Sequence, residues 1–369
     1  MKILQIVPSV DPRKGGRERH VLELVRQLTN LGHDVTVITS DPDFAPCNEA
    51  FKLHTALTIS IPGLPPIPSL GDLVRLMNQR FDLCHIHYHA LFGEIALIAS
   101  IIREIPIVVT FHAEMKRGLH KLIYDRVTLS FVCNFCEKII CLSKSLKDGL
   151  TKRGIDSKKI IIIPHFINFS KVKPNSIGLW DSSYQSDILF VGRLEKRKGV
   201  QELLQILSYL SKTGVKYHAY IVGEGPLEAL VKSKTSSYPL KNHVKYLGYV
   251  EESVLRKLYN ETKIVIVPSR YEGLPSVCLE AMCYGKVVIG FDIPGLRDIL
   301  ADIDRSLVAK AFDIEEIANK IIRFLNDPVR RAYIGKKSRE KVKEYDVSRV
   351  TAKICNLYRE VSAPRIASS

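Results

Sequence analysis

The hydrophobic positions of this chain fall into short blocks that alternate between two periods. Lys2-Ile-Leu-Gln-Ile-Val-Pro8 and Asp34-Val-Thr-Val-Ile-Thr-Ser40 are brief apolar runs bounded by breakers, the pattern of buried strands. Between them Val21, Leu22, Leu24, Val25 and Leu28 recur at helical spacing. Leu31-Gly-His33 closes that helix with glycine where a left-handed cap costs little. Strand, glycine loop, helix, strand is the opening of a doubly wound parallel sheet. Phe81–His87, Pro106–Phe111, Lys138–Leu142 and Lys159–Ile163 continue the strand series, with helical segments between them. The proline-rich stretch Ile61–Ser69 predicts an irregular loop over a cleft.

A polar, weakly patterned stretch from Lys171 to Ser186 predicts a linker, after which the theme restarts. Asp187–Gly192 is again a strand running into glycine, followed by strands at Tyr217–Gly223, Val244–Gly248, Ile264–Pro268 and Val287–Gly290. The expectation is an α/β protein of two Rossmann-like doubly wound parallel-sheet domains facing a central cleft, residues 1–170 and 171–346, with ligands held between them. A length of 369 residues suits two cores better than one. Architecture of this kind still allows dehydrogenases and synthetases.

Composition narrows the class. The longest apolar run, Ile95–Ile102, stops at Arg103, under half of the roughly 20 residues a bilayer span needs. The opening residues carry no cleavage-site pattern, so the expectation is a soluble, cytoplasmic chain. A net charge of +15 calls for an anionic partner, and nucleic acid, anionic lipid or a nucleotide diphosphate would each supply one. Many cations sit on helix-like segments (Lys144, Lys147, Lys152, Arg153, Arg330, Arg331, Lys336, Lys337, Arg339), where they read as solvated faces. No nucleic-acid-binding motif accompanies them, so nucleic acid is not expected as a partner. Cys133-x-x-Cys136 and Cys141 lack a second pair at zinc-like spacing and read as reduced thiols in apolar surroundings. His85, His87 and His89 alternate so as to share one strand face, but without a carboxylate motif they are not read as a metal site.

Three clusters carry chemistry. Gly15-Gly16, between the first strand and the first helix, would let backbone N–H groups approach an anion, or is a plain tight turn. The dinucleotide fingerprint Gly-x-Gly-x-x-Gly is absent, and the second strand ends in Thr39-Ser40, with no acid to hold a ribose. Gly192-Arg193-Leu-Glu-Lys-Arg-Lys198-Gly199 follows a strand directly. Paired cations there suit a departing diphosphate in the absence of a metal. An exposed basic loop is the plainer reading for Lys196 and Arg197, and less so for Arg193 at the strand's carboxyl end. Finally, Glu272 and Glu280 flank Gly273-Leu274-Pro275, with Pro275-Ser276 at the first turn of the next helix. The N–H groups of Gly273, Leu274 and Ser276 would meet a docked diphosphate, and Glu280, one turn into the helix, would reach vicinal ribose hydroxyls. Taken singly, Glu280 reads equally as a capping acid and Glu272 as a surface acid.

Together these residues resemble the retaining glycosyltransferase family 4, whose fold is called GT-B. The stretches that carry the resemblance are the Gly15-Gly16 loop with Glu18, Leu31-Gly-His-Asp-Val35, Thr110-Phe-His112, Pro164-His-Phe-Ile-Asn168, Val191–Gly199, Ile221-Val-Gly-Glu-Gly-Pro226, Leu247-Gly-Tyr-Val250, Pro268–Glu272 and the Glu-x7-Glu signature. The resemblance implies that Arg193 and Lys198 bind the donor diphosphate, Glu280 the ribose, and Glu272 hydroxyls of the transferred sugar. The backbone of Gly273, Leu274, Pro275 and Ser276, of Gly15-Gly16 and of Gly223 would line the donor. Val250 would meet the base through its main chain. His112 would lie beside the sugar's C6 oxygen, though alone it reads as a satisfied strand-end histidine. The implied reaction retains anomeric configuration by front-face attack and uses no metal and no cofactor, the nucleotide sugar being a substrate. The helix at 347–362 would cross back to complete the first domain, leaving 363–369 as a flexible tail. Pro164-His-Phe-Ile-Asn168 departs from the family's Pro-Asn-Gly-x-Asp, and Pro294-Gly295-Leu-Arg-Asp298 from its Gly-Gly-x-x-Glu. Asp41-Pro-Asp43 imitates a metal-binding Asp-x-Asp but follows a strand in the wrong half and reads as a turn.

The expected donor is a UDP- or GDP-sugar. Glu272-Gly-Leu-Pro leans toward UDP-hexoses or UDP-N-acetylhexosamines, and the acceptor would be a glycan or lipid-linked glycan. Lys116, Arg117, His120, Lys121 and Arg126, interleaved with Leu119, Leu122, Ile123 and Tyr124, suggest a basic amphipathic surface for peripheral contact with anionic membrane at the inner face, or an ordinary half-buried helix. The rival functions are a nucleotide-sugar epimerase of similar plan and a non-catalytic sugar-nucleotide-binding protein.

Overall fold

The computed structural model describes residues 1–13, 15–41, 49–59, 67–88, 92–112, 129–169, 172 and 186–363. The chain divides into two compact units, Met1–His165 with Ser348–Ser369, and Phe166–Val347.

The first unit runs β1 (Lys2–Ile6), α1 (Gly16–Asn30), β2 (Asp34–Thr39), β3 (Lys52–Thr55), β4 (Thr58–Ile59), β5 (Ile67–Pro68), α2 (Leu70–Leu76), β6 (Leu83–His87), α3 (Phe92–Ile102) and β7 (Ile107–Phe111). It continues with α4 (129–135), β8 (Lys138–Cys141), α5 (Lys144–Thr151) and β9 (Ile160–Ile162). Seven of these strands form one parallel sheet in the order β3-β2-β1-β6-β7-β8-β9. Alternate residues divide its two faces. Leu4, Ile6, Cys84, Ile86, Val109, Phe111, Ile139 and Cys141 pack in one cluster with Leu73 of α2, Phe92 and Ala96 of α3, Val132 of α4 and Leu146 of α5. Each large apolar side chain buried there contributes about 1.5–3 kcal/mol. The intervening positions Gln5, His85, His87 and Thr110 are also buried, yet polar.

The second unit runs β10 (Ile188–Val191), α6 (Val200–Lys212), β11 (Ala219–Val222), α7 (Glu228–Thr235), β12 (Val244–Gly248), α8 (Glu252–Glu261), β13 (Ile264–Val267), α9 (Ser276–Cys283) and β14 (Val287–Phe291). It ends with α10 (Pro294–Ile303), β15 (Val308–Ala309), α11 (Ile314–Asn326) and α12 (Pro328–Val342). Its parallel sheet has the order β12-β11-β10-β13-β14-β15. β13 and β14 are buried at every position, as strands covered by helices on both faces must be. The last helix, α13 (Val347–Ser362), belongs from Ser348 onward to the first unit, where the Tyr358 hydroxyl meets side chains of β1 and β6. The two stretches by which the chain enters and leaves the second unit are bonded to each other: the Ile167 amide donates to the Tyr345 carbonyl (2.8 Å) and the Val347 amide to that of Ile167 (3.0 Å).

The structure corrects the reading of Ile61–Ser69 as wholly irregular. Ile67 and Pro68 form a two-residue antiparallel ladder with Thr58 and Ile59, and Ser69 caps α2 by accepting from the Asp72 amide. Proline at a short edge strand needs no donor of its own, so prolines did not exclude a strand here. Positions 60–66, nearly all of the expected linker, the basic stretch 116–126, Asp43 and the terminal 364–369 lie outside the described residues. Two edge strands, β3 and β15, are additions to the expected set. Both are too short to show a period.

Candidate functional site

In an open parallel sheet, ligands bind beyond the carboxyl ends of the strands where the strand order reverses. In the second unit that point lies between β10 and β13, which are neighbours although far apart in sequence. The two loops leaving these strands are Gly192–Gly199 and Pro268–Pro275, which hold Arg193, Lys198, Glu272, Gly273, Leu274 and Pro275 of the expected donor site.

The loops are stitched together by backbone. The Arg270 amide donates to the Arg197 carbonyl at 2.9 Å. Gly199 has φ +70°, and a Cβ there would stand 1.7 Å from the Pro268 carbonyl oxygen, so only glycine allows the approach. A side-chain ion pair between Arg270 and Glu202 of α6 adds a further tie. Gly295, at the start of α10, is a second close approach: a Cβ would meet the carbonyl oxygens of Glu272 and Gly273 at 2.4 and 2.6 Å.

These contacts bring Lys198 and Glu272 together. The Lys198 Nζ donates to Glu272 Oε1 at 2.5 Å, the Ser269 hydroxyl donates to the same oxygen at 2.8 Å, and the Arg197 guanidinium stands 3.5 Å from Oε2. Glu272 is 7% exposed, which excludes its reading as a surface acid. A buried carboxylate requires paired cations and donors, and it has three. Arg197, which read as part of an exposed basic loop, is held over the Tyr271 ring and paired to Glu195 as well. Arg193 is exposed, and its guanidinium has no ion-pair partner among the described residues.

Gly273, Leu274 and Pro275 are buried, and Pro275 occupies the N-cap of α9. A proline cap offers no side-chain acceptor; the Cys278 amide donates to the Pro275 carbonyl at 3.0 Å, which leaves the Ser276 and Val277 amides for whatever binds at the helix start. Glu280 lies one turn in and is not a cap: its Oε2 accepts from the Tyr259 hydroxyl at 2.8 Å, and Tyr259 stacks on Tyr284 at 5.4 Å. The Cys278 thiol between these groups is pushed up first by burial and then by Glu272, while Lys198 pulls it down, so both acids and the lysine act on one point. Gly223 has its main chain engaged, donating to Gly248 (2.8 Å) and accepting from the Tyr246 hydroxyl (3.1 Å). Val250 follows β12, half-buried, just before α8.

Gly15, Gly16 and His112 belong to the first unit. Gly15 is the N-cap of α1 and Gly16 its first residue, with no side-chain cap. His112 follows β7 and is bonded at both ring nitrogens, to His87 (3.0 Å) and to His165 (2.9 Å). Sequence reasoning missed Arg197, Ser269, Tyr259 and His165. The signal for the first two was their adjacency to Lys198 and Glu272. For Tyr259 and His165, only the fold supplies it. No group of three or more His, Cys, Asp or Glu among the described residues is arranged to hold a metal, and no described helix is long and apolar enough to cross a membrane.

Comparison with known proteins gives the family and the fold. The model of Glycosyltransferase Family 4 matches residues 14–171, and that of Glycosyl transferases group 1 matches 182–341. A phosphatidyl-myo-inositol mannosyltransferase from Mycolicibacterium smegmatis is 26% identical, over 99% of this chain and 95% of its own. Among solved structures, a sucrose-phosphate synthase from Thermosynechococcus elongatus superposes with a TM-score of 0.78 at 20% identity, covering 97% of this chain and 98% of the other. Anabaena HepE, solved with UDP, superposes with a TM-score of 0.77 at 17% identity, covering 98% and 100%. The chain thus has the two-domain GT-B fold and belongs to the group 1 glycosyltransferases of family 4, which makes it a glycosyltransferase.

Proposed function

We propose that the protein transfers a hexose or N-acetylhexosamine from a UDP-sugar to a glycan or lipid-linked glycan, with retention of anomeric configuration and without a metal. The observation that carries this reading is the Lys198–Glu272 pair, with Arg197 and Ser269, at the switch point between β10 and β13. Arg193 and Lys198 would neutralise the diphosphate as the C1–O bond to it breaks and the electron pair moves to phosphate oxygen. The acceptor hydroxyl bonds to C1 on the same face and passes its proton to that oxygen. Glu272 would accept from sugar hydroxyls, Glu280 from the ribose, and the first amides of α9 would meet the phosphates. In the first unit the reading assigns anion contact to Gly15-Gly16 and sugar contact to His112. The UDP preference is supported by Glu272-Gly-Leu-Pro and by the UDP bound in Anabaena HepE.

The mannosyltransferase from Mycolicibacterium smegmatis favours a second reading, mannosyl transfer. Its named acceptor, a phosphatidylinositol, also fits peripheral contact of the basic stretch 116–126 with anionic membrane from the cytoplasmic side. A panel of UDP- and GDP-sugars, scored for nucleotide release with and without acceptor in the presence of a chelator, tests the donor, the need for an acceptor and the independence of metal. The anomeric configuration of the product, read by proton NMR, tests retention. Release of UDP that depends on acceptor and survives chelation is expected. Release of GDP alone would transfer the assignment to the second reading. Flotation with liposomes that showed no dependence on anionic lipid would remove the membrane contact.

A further inference from the structure

The buried polar face of the first sheet holds a connected chain of imidazoles whose proton positions can be worked out. His85 and His87 on β6 are 1% and 0% exposed, with ring centroids 4.3 Å apart. His87 Nε2 lies 2.9 Å from Gln5 Oε1 on β1. An amide oxygen only accepts, so His87 Nε2 carries hydrogen. Burial above all, then His85, His20, Arg17 and His165, drives the His87 pKa well down, so the ring is neutral and its Nδ1 is bare. The group 3.0 Å from that nitrogen is His112 Nε2, which must therefore donate. His112 is kept neutral by burial and by His165, His87, Arg17 and His20, so its own Nδ1 accepts, from His165 Nε2 at 2.9 Å.

The Gln5 amide is itself oriented. Its Nε2 donates to the Tyr358 hydroxyl of α13 at 3.0 Å. That hydroxyl is 2.6 Å from His85 Nδ1, and His85 Nε2 is 2.6 Å from the Thr110 hydroxyl. Turning the amide over would reverse the hydrogens from His87 through His165. The Tyr358 hydroxyl can donate or accept, so it anchors the amide, and the polarity follows from Gln5 presenting its Oε1 to His87. The charged and titratable groups around it are Arg17, paired to Glu18, and His20 on α1, the last stacked on His165 at 4.2 Å.

We propose that Gln5 and His87 are positioning residues for His112: they fix it as a neutral Nε2–H imidazole whose bare Nδ1 is an acceptor. This rests on the reading of His112 as a sugar contact, and it specifies the contact. A sugar hydroxyl would donate to Nδ1, taking the place of His165, and His112 would supply no proton.

Nitrogen-15 imidazole spectra of the unliganded protein test the protonation pattern without reference to any donor. His87, His112 and His165 are expected as neutral Nε2–H tautomers from pH 8 to pH 5. A His112 that is Nδ1–H, or that titrates near 6.5, overturns the proposal. Gln5→Leu and the shape-preserving Tyr358→Phe should each give mixed tautomers at His112, and unchanged spectra in both would also overturn it. With the donor found by the nucleotide-release panel, Gln5→Leu should lower kcat by about tenfold to a hundredfold with KM within threefold. The spectra report on positioning, and a His112→Ala variant that kept full turnover would count against the sugar contact alone.

Discussion

Lys198 and Glu272 neutralise each other in the unliganded protein, yet both are expected to face charge or hydroxyls that arrive with the donor. Glu272→Gln keeps an oxygen for Lys198 and Ser269 but removes the charge. It should cut kcat/KM about a hundredfold to a thousandfold while the melting temperature moves by only a few degrees, measured by nucleotide release and by calorimetry. Tyr259→Phe removes one hydrogen bond to Glu280 and leaves the ring stacked on Tyr284. A bond to a charged group contributes about 1.5–3 kcal/mol, so the variant should raise the KM for donor by about tenfold or more if Glu280 holds the ribose, with kcat little changed. An unchanged KM would detach Glu280 from the nucleotide.

At the scale of elements, the site is the place where two loops are joined, and glycine makes the joint. Gly199→Ala would put a methyl group into the Pro268 carbonyl oxygen in a left-handed backbone. A loss of several kcal/mol, read as a fall in melting temperature of about 5–15 °C with loss of turnover, is the expected result. The sequence alone revealed the strands because runs such as Ile264–Val267 and Val287–Phe291 are apolar throughout, and it revealed the Glu-x7-Glu loop because its spacing is local. It could not reveal that Arg197 turns inward, since an Arg in a run of cations looks the same whether its partner is water or an acid 75 positions on. Nor could it reveal Tyr259 under Glu280, because that contact depends on how α8 and α9 flank β13. The alternation of His85 and His87 placed them on one face, but their partners Gln5, Thr110 and Tyr358 come from three other elements.

For the whole molecule, acid should act through the first unit. Burial lowers the pKa of His85 and His165 to about 3 from 6.5. Below pH 6.5 the unfolded chain takes up protons that the folded chain refuses, so stability falls as pH falls, by about 1.4 kcal/mol per pH unit for each such group, until the folded pKa is reached. Above 6.5 these groups contribute no slope. Thermal melts from pH 8 to pH 4.5 should show the first unit losing stability below pH 6.5, and a pH-independent melt would contradict the buried imidazole chain. The thiols behave oppositely: burial raises those of Cys84, Cys136, Cys141 and Cys283 to about 12. Iodoacetamide at pH 8 should leave these four unmodified in the native protein and alkylate them in denaturant, as read by mass spectrometry.

Gln5 and Tyr358 are 353 positions apart and share a hydrogen bond. During synthesis the first unit therefore starts earliest and is finished last, while Phe166–Val347 emerges as one uninterrupted piece in between. Until α13 leaves the ribosome, Gln5 and His85 lack the hydroxyl that joins them. A nascent chain arrested before Val347 should be cut by protease in its first 165 residues while its second unit resists. Release of the last helix should close that window.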